Sequence, residues 1–150
     1  MPSIREYRQP YKINGEFEFP QFFEFYQKAL ASVWRPQEVS FESDIRDWQN
    51  SSQEEREIIG GILRGFTQLE CHVGDYWANI PNWFPKHEVA AVARAFSLSE
   101  VVHAEAYNLL SDTLGLDEFE AFLGDPVAQN KIGFFLEKKS VKESLAIFSG

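Results

Sequence analysis

Three side chains on two predicted helices could bind a metal ion together. Glu70 follows Phe66 by four residues and precedes Val73 by three, so it interrupts an apolar helix face and should point to the core. Glu100 and His103 are one helical turn apart and share a face. Two carboxyl groups in one core would repel each other if both were ionised. They would therefore stay protonated unless a cation lies between them. Divalent iron and manganese bind carboxylate oxygen together with imidazole nitrogen, so this pattern is typical of a metal site.

The same residues also have an ordinary structural interpretation. A Glu-x-x-His pair on a helix is common by chance, and Glu70 could lie at a helix edge in water. Tyr107 shares the face of Glu100 and His103, where a core tyrosine with a satisfied hydroxyl is also typical. Trp34, close to a proline, could serve only as a packing anchor. The coincidence of Glu70, Glu100 and His103 on facing helix surfaces is what favours a metal site.

Two long helices are predicted to carry these side chains. The pair Ser52 and Glu55 forms a capping box, and the first helix should run from about residue 53 to about 79. The second should run from about residue 86 to about 114 and end at Gly115. The apolar residues that recur at helical spacing in the first helix are Ile58, Ile59, Ile62, Phe66, Leu69, Val73 and Trp77.

Shorter elements flank these helices. Residues 1–20 should be irregular and residues 21–32 helical. A polar loop is expected from about 37 to 50, a short helical piece at 116–123, and a last helix from about Val127 toward the C terminus. Because no strand of convincing length is predicted, the fold class is all-α, a helical bundle.

Composition excludes several classes of protein. The chain of 150 residues is 44% hydrophobic and 25% charged, which argues against disorder. Its net charge of -9 opposes non-specific binding to nucleic acid or to an anionic membrane. The single cysteine, Cys71, excludes an intramolecular disulfide and is expected to be at least half-buried. With no leader or bilayer-length apolar run, a cytoplasmic location is expected.

Four segments together resemble a known family. They are WRPQEV at 34–39, DIRDW at 44–48, EER at 54–56 and SEVVHAEAY at 99–107. The combination is similar to the small, radical-generating subunit of class I ribonucleotide reductase, from about Phe17 to the last residue. The resemblance implies a ferritin-like helical bundle, with residues 1–20 as an irregular segment and residues 21–150 as part of the metal-binding domain.

The resemblance also implies a two-metal centre. This centre generates the oxidising equivalent with which a separate catalytic (large) subunit reduces ribonucleoside di- or triphosphates to deoxyribonucleotides. Carried over by position, Glu70 matches the first carboxylate ligand, and Glu100 and His103 match the Glu-x-x-His ligands. Tyr107 matches the tyrosine that holds the radical in the best-known members. Trp34 matches the tryptophan near the cluster on the radical-transfer route.

Two departures from the family pattern are informative. Most members have Asp where this chain has Glu70, and Glu there is similar to a subgroup in which a dimanganese centre is itself the oxidant. Manganese is therefore favoured over iron, and a radical role for Tyr107 is not required. The family's second Glu-x-x-His is also missing, because no histidine follows His103. The chain thus resembles the N-terminal half of a small subunit.

Half of a helical bundle is expected to need partners. They are the C-terminal half of the small subunit, the large catalytic subunit and a second copy in a homodimer. Half a ligand set should bind metal weakly, and uncovered apolar helix faces should cause association. Two alternatives stay open, a non-catalytic helical interaction module and another ferritin-like dimetal oxidase. The Trp34 segment distinguishes a reductase subunit from a dimetal oxidase, because a self-contained oxidase needs no electron route to a partner.

Overall fold

The computed structural model describes residues 3–116, 119–137, 140–143 and 146. Within this part of the chain the regular secondary structure is helical, and the only β pairing is an isolated bridge between Ile13 and Glu16. The all-α prediction is therefore confirmed. None of the helices in the described ranges combines the length and the hydropathy that crossing a bilayer requires.

Six helices and a short turn follow one another along the described chain. They are α1 (Pro20–Ala31), α2 (Glu42–Asn50), α3 (Gln53–Trp83), α4 (His87–Leu114), α5 (Phe119–Gly124) and α6 (Pro126–Leu136), with a 3-10 turn at Pro36–Glu38. The predicted capping box begins α3, where the Ser52 backbone N–H donates to Glu55 Oε2 at 2.8 Å. Gly115, at φ +72°, ends α4, and the Leu116 N–H donates to the Ser111 carbonyl at 2.9 Å.

The predicted polar loop at 37–50 is wrong, because most of it is helical. Helix α2 occupies Glu42–Asn50, after the turn at Pro36–Glu38. Glu42 and Asp44 lie in its first turn, where acidic side chains interact favourably with the helix dipole. Ile45 and Trp48 share one face of this helix, but two apolar residues in nine are a weak signal against the polar composition.

Two helix ends also differ from prediction. Helix α3 continues past residue 79 to Trp83, with Pro81 inside it. A proline in the last turn removes only one helical hydrogen bond, and the Phe84 N–H still donates to the Ile80 carbonyl at 2.9 Å. The last predicted helix is interrupted after Leu136, where Glu137 has a non-helical ψ of 133°, and residues 141–143 and 146 are helical again. The predicted piece at 116–123 is observed as α5, and its residues 117–118 lie outside the described ranges.

The chain divides into two compact units. The first comprises the described residues within 1–33, 73–99 and 138–150, and it contains α1 with the second part of α3 and the first part of α4. Its core residues are Ile80, Val89 and Ala93, against which Ile4, Phe22, Tyr76, Trp77, Trp83 and Phe84 pack. The aromatic residues of the sequence therefore form much of this core. The division at residue 20 stays a prediction.

A buried ion cluster fastens the irregular N-terminal segment within this first unit. Arg8 Nη2 lies 2.6 Å from Glu88 Oε2, and Arg8 Nη1 lies 3.0 Å from Glu18 Oε2. Lys86 Nζ completes the cluster at 2.8 Å from Glu18. Although burial raises it, the hydrogen bonds from Arg8 and Phe19 keep the pKa of Glu88 below its ordinary value. The four charges therefore neutralise one another within the chain.

The second unit comprises residues 34–72 and 100–137. Leu63, Glu100, Ser111 and Ala128 are buried in it. Gly60 permits a close approach, because a Cβ there would lie 3.3 Å from Leu116 Cδ2. Several apolar residues of α3 that the pattern assigns to a core face are exposed instead: Ile58, Ile59, Ile62 and Phe66. The expectation of uncovered apolar faces is confirmed for this helix.

Candidate metal centre

Glu70, Glu100 and His103 converge within the second unit. Glu70 lies on α3, and Glu100 and His103 lie one turn apart on α4. Each side chain offers one donor atom, and the three donor atoms all lie within 4.8 Å of one another. The Glu70 side chain is 17% exposed and that of Glu100 is 11% exposed, whereas His103 is 38% exposed. Two carboxyl groups therefore face each other with little access to water.

The closest pair in this group is His103 and Glu100. His103 Nδ1 lies 2.9 Å from Glu100 Oε2 and 3.9 Å from Glu70 Oε1. At this distance the two atoms form a hydrogen bond, and the histidine tautomer decides which of them donates. A cation that binds there would replace this hydrogen bond.

The pKa of Glu70 shows that its ionised form is unfavourable next to Glu100. Burial, then the hydrogen bond and the charge of Glu100, raise the pKa of Glu70 to about 7, and the His103 charge opposes the rise. Near neutral pH about half of the Glu70 carboxyls would therefore hold a proton in the metal-free chain. Among the described residues, no lysine or arginine shifts the pKa of Glu70, in contrast to the ion cluster around Glu88.

Tyr107 lies one turn beyond His103 on the same helix. Its ring centroid is 5.6 Å from that of Phe66 on α3, with the planes 39° apart. Burial, and then the charges of Glu70 and Glu100, raise the pKa of the Tyr107 hydroxyl. The hydroxyl is therefore half-buried and within electrostatic range of both carboxyls, and it stays neutral at physiological pH.

Trp34 contacts the same group from the segment before α2. Its ring centroid is 6.3 Å from that of His103, at an interplanar angle of 31°. The next residues fold back onto α4, where Gln37 Nε2 donates to Glu105 Oε1 at 2.9 Å. All five residues singled out in the sequence thus lie in one neighbourhood of the second unit.

The donor set fits a divalent transition metal. Two carboxylate oxygens and one imidazole nitrogen are ligand types that manganese and iron accept. A divalent cation would relieve the repulsion that raises the pKa of Glu70. Three protein donors are fewer than a two-metal centre of the bundle type uses, since such centres draw four carboxylates and two histidines from four helices. The described residues therefore fit half of such a site.

Sequence reasoning missed two features near this group. Cys71, expected to be at least half-buried, is exposed, because position 71 turns away from the face that carries Glu70. The hydrogen bond from Gln37 to Glu105 was also missed. These residues are 68 positions apart, and no local pattern signals such a pairing.

Comparisons with known proteins identify the family. The family model described as "Ribonucleotide reductase, small chain" matches residues 14–149. The probable ribonucleoside-diphosphate reductase small subunit of Invertebrate iridescent virus 6 is 33% identical over 118 residues, which cover 77% of this chain and 32% of that protein. The ribonucleoside-diphosphate reductase small chain of Nicotiana tabacum is 35% identical over 107 residues, covering 69% and 32% respectively. Subunit M2 of the Homo sapiens enzyme is 31% identical over 116 residues, covering 75% and 29%.

The chain thus spans about a third of the length of each of these three relatives. The match covers α1 to α6 and includes every residue of the candidate metal centre. The chain belongs to the ribonucleotide reductase small chain family, whose fold is a ferritin-like helical bundle.

Proposed function

We propose that this chain supplies half of the two-metal centre of a ribonucleotide reductase small subunit, with Glu70, Glu100 and His103 as its ligands. The observation that carries the proposal is the convergence of their three donor atoms within 4.8 Å, in a setting that raises the pKa of Glu70 to about 7. When bound, the metal centre supplies the oxidising equivalent for reduction of ribonucleoside di- or triphosphates to deoxyribonucleotides on a separate catalytic subunit. The chain would thus be an oxidoreductase subunit.

Metal binding would displace the proton on Glu70. Glu70 is partly protonated near neutral pH, whereas a metal ion needs both carboxylates ionised, so metal binding should release that proton. His103 Nδ1 and Glu100 Oε2 share a hydrogen bond, and a metal ion at His103 Nδ1 would require the imidazole proton to be on Nε2. The low exposure of Glu70 and Glu100 keeps competing water away from their oxygens.

We favour manganese over iron for this site. Support comes from the carboxylate at position 70, where Glu resembles the dimanganese subgroup. Both metals accept the same oxygen and nitrogen donors, so the donor types alone do not separate them.

Trp34 and Tyr107 would act beside the metal ligands. The Trp34 ring lies against that of His103 and is our candidate for the electron route toward the catalytic subunit. Tyr107 is our candidate for the neighbouring redox residue, and its raised pKa keeps the proton on its oxygen in the resting state. With manganese as the oxidant, a radical on Tyr107 is not required.

The other ligands of the two-metal centre would come from the C-terminal half of the small subunit. That half would supply one further Glu and the second Glu-x-x-His turn. The exposed apolar residues of α3 support such an association, because a surface of this kind is stable only when covered. The assembled small subunit would form a homodimer and bind the large catalytic subunit. We place it in the cytoplasm, with no membrane or nucleic acid as a partner.

Metal binding by ligand variants tests the proposal. Titration of this chain with Mn²⁺, followed by electron paramagnetic resonance, should show weak binding. Glu100→Gln should lower the affinity by at least about tenfold, because it removes a ligand. Asp112→Asn, a substitution of an exposed carboxylate on the same helix, is the matched control and should leave the affinity unchanged.

The proposal would be wrong if Glu100→Gln and Asp112→Asn bound Mn²⁺ as the parent chain does. Addition of a polypeptide with the later ligand helices should raise the metal content to two ions per pair of chains. That gain should again depend on Glu100.

A further inference from the structure

We propose that Gln37 is a positioning residue that holds the Trp34 ring against His103 through its hydrogen bond to Glu105. This inference rests on the proposed function only in so far as Trp34 serves the metal centre. The placement of the ring itself can be tested without metal.

The backbone between Trp34 and Gln37 is short and restricted. Arg35 is extended, at φ -120° and ψ 141°, as the residue before a proline generally is. Pro36 fixes its own φ and is fully buried. Only two residues separate Trp34 from Gln37, so fixing the Gln37 side chain limits the positions open to the Trp34 ring.

The anchor for this segment lies on the helix of the metal ligands. Gln37 Nε2 donates to Glu105 Oε1 at 2.9 Å, and Glu105 follows His103 by two residues on α4. The acceptor is a carboxylate oxygen, and the donor–acceptor distance is that of a well-formed hydrogen bond. The same helix therefore carries His103 and the acceptor that holds the Trp34 segment.

The Trp34 ring needs such an anchor. Among the described residues no hydrogen bond fixes its indole N–H, and its contact with His103 is made by the rings alone at 6.3 Å. A single ring contact adds only a modest stabilisation, so it holds the ring only in part. The Gln37–Glu105 bond supplies the missing constraint.

The chain offers a matched control in the same turn. Glu38 accepts from Arg35 Nε at 2.8 Å, and both side chains are exposed. This pair links two residues of the turn to each other and does not reach α4. Removing it changes the charge and composition of the turn but should leave the Trp34 ring in place.

Fluorine NMR of protein labelled with fluorotryptophan can follow the ring directly. The chain has 4 tryptophans, and the resonance absent from Trp34→Phe identifies Trp34. Gln37→Ala should shift that resonance and remove most of the broadening that Mn²⁺ causes in it. The other three resonances and the Mn²⁺ affinity should stay unchanged. Because the Gln37–Glu105 bond is exposed, its loss should not unfold the chain.

Substitutions of the acceptor complete the test. Glu105→Ala should reproduce the effect of Gln37→Ala, whereas Glu105→Gln keeps an acceptor oxygen and should preserve the Trp34 resonance. The inference is overturned if Gln37→Ala leaves the Trp34 resonance unchanged, or if Glu38→Ala moves it equally. If Mn²⁺ fails to bind the parent chain, the proposed function fails. The shift of Trp34 in the metal-free chain still decides the role of Gln37.

Discussion

Replacement of Glu70 by Gln should make the metal-free chain less sensitive to rising pH. In the folded chain the pKa of Glu70 is raised from 4.5 to about 7 by burial and by Glu100. The folded state therefore holds the Glu70 proton more tightly than the unfolded state does. Stability that is fully present below pH 4.5 is lost as the pH rises through about 7. Gln cannot ionise, and its amide can still donate to Glu100, so the variant avoids this loss.

The size of the effect follows from the pKa change. A rise from 4.5 to about 7 corresponds to a loss on the order of 3 kcal/mol above pH 7, and 17% exposure of the side chain makes this an upper value. Urea unfolding of both proteins with a chelator, at several pH values between about 4 and about 8, would measure the difference in the free energy of unfolding. The free energy of unfolding of Glu70→Gln should increase relative to that of the parent chain as the pH rises.

A control separates this effect from general changes in charge. Glu54→Gln alters an exposed carboxylate of the same helix and should leave the pH dependence of stability unchanged. Addition of Mn²⁺ near pH 8 should stabilise the parent chain but not Glu70→Gln, because a ligand that binds only the folded state stabilises it. Equal pH dependence of the parent and the Glu70→Gln variant would show that the two carboxyls do not oppose each other.

Three further predictions follow from the same structure. Binding of Mn²⁺ should release about one more proton near pH 6 than near pH 8.5, because Glu70 with a pKa of about 7 is protonated only at the lower pH, and calorimetry in buffers of different ionisation enthalpy would measure this. Equal release at both pH values would contradict it. Glu88→Gln should cost about 3 kcal/mol or more because it leaves Arg8 buried without a full counter-charge. Glu38→Gln, in an exposed pair, should cost less than about 1 kcal/mol in the same unfolding assay. A similar cost for both would be inconsistent with a buried cluster. The parent chain should self-associate in sedimentation experiments, and Ile58→Glu, at a side chain that is 57% exposed, should reduce this, whereas a monomeric parent chain would refute the idea.

Local patterns were sufficient to predict the long helices and the convergence of Glu70, Glu100 and His103. The capping box and the apolar period placed α3 and α4, and Gly115 marked the end of α4. The helical period also placed Glu70 toward Glu100 and His103, because the spacing that sets a helix face is visible in the sequence. These features depend on neighbours within a few positions.

Features that depend on distant contacts were not predictable in this way. Helix α2 is short and polar overall, and its two apolar residues, Ile45 and Trp48, are too few to distinguish a helix from a loop in the sequence. The bond from Arg8 to Glu88 joins residues 80 positions apart, and nothing near Arg8 marks it as buried. The apolar pattern of α3 places Ile58 on an apolar helix face, but it does not show whether another element covers that face. In the structure Ile58 is exposed.

Glu88 and Glu70 are both shielded from water, but different groups surround their carboxyls. Glu88 is fully buried, yet Arg8 and the Phe19 N–H satisfy its oxygens and its pKa stays low. Glu70 is less buried, but the group it faces is a second carboxyl, and its pKa rises to about 7. The protein can therefore neutralise a buried carboxylate with its own cations and does so at Glu88. The absence of an arginine or lysine from the described surroundings of Glu70 supports a cation supplied from outside, which is why the metal assignment is preferred over mutual satisfaction of the three side chains.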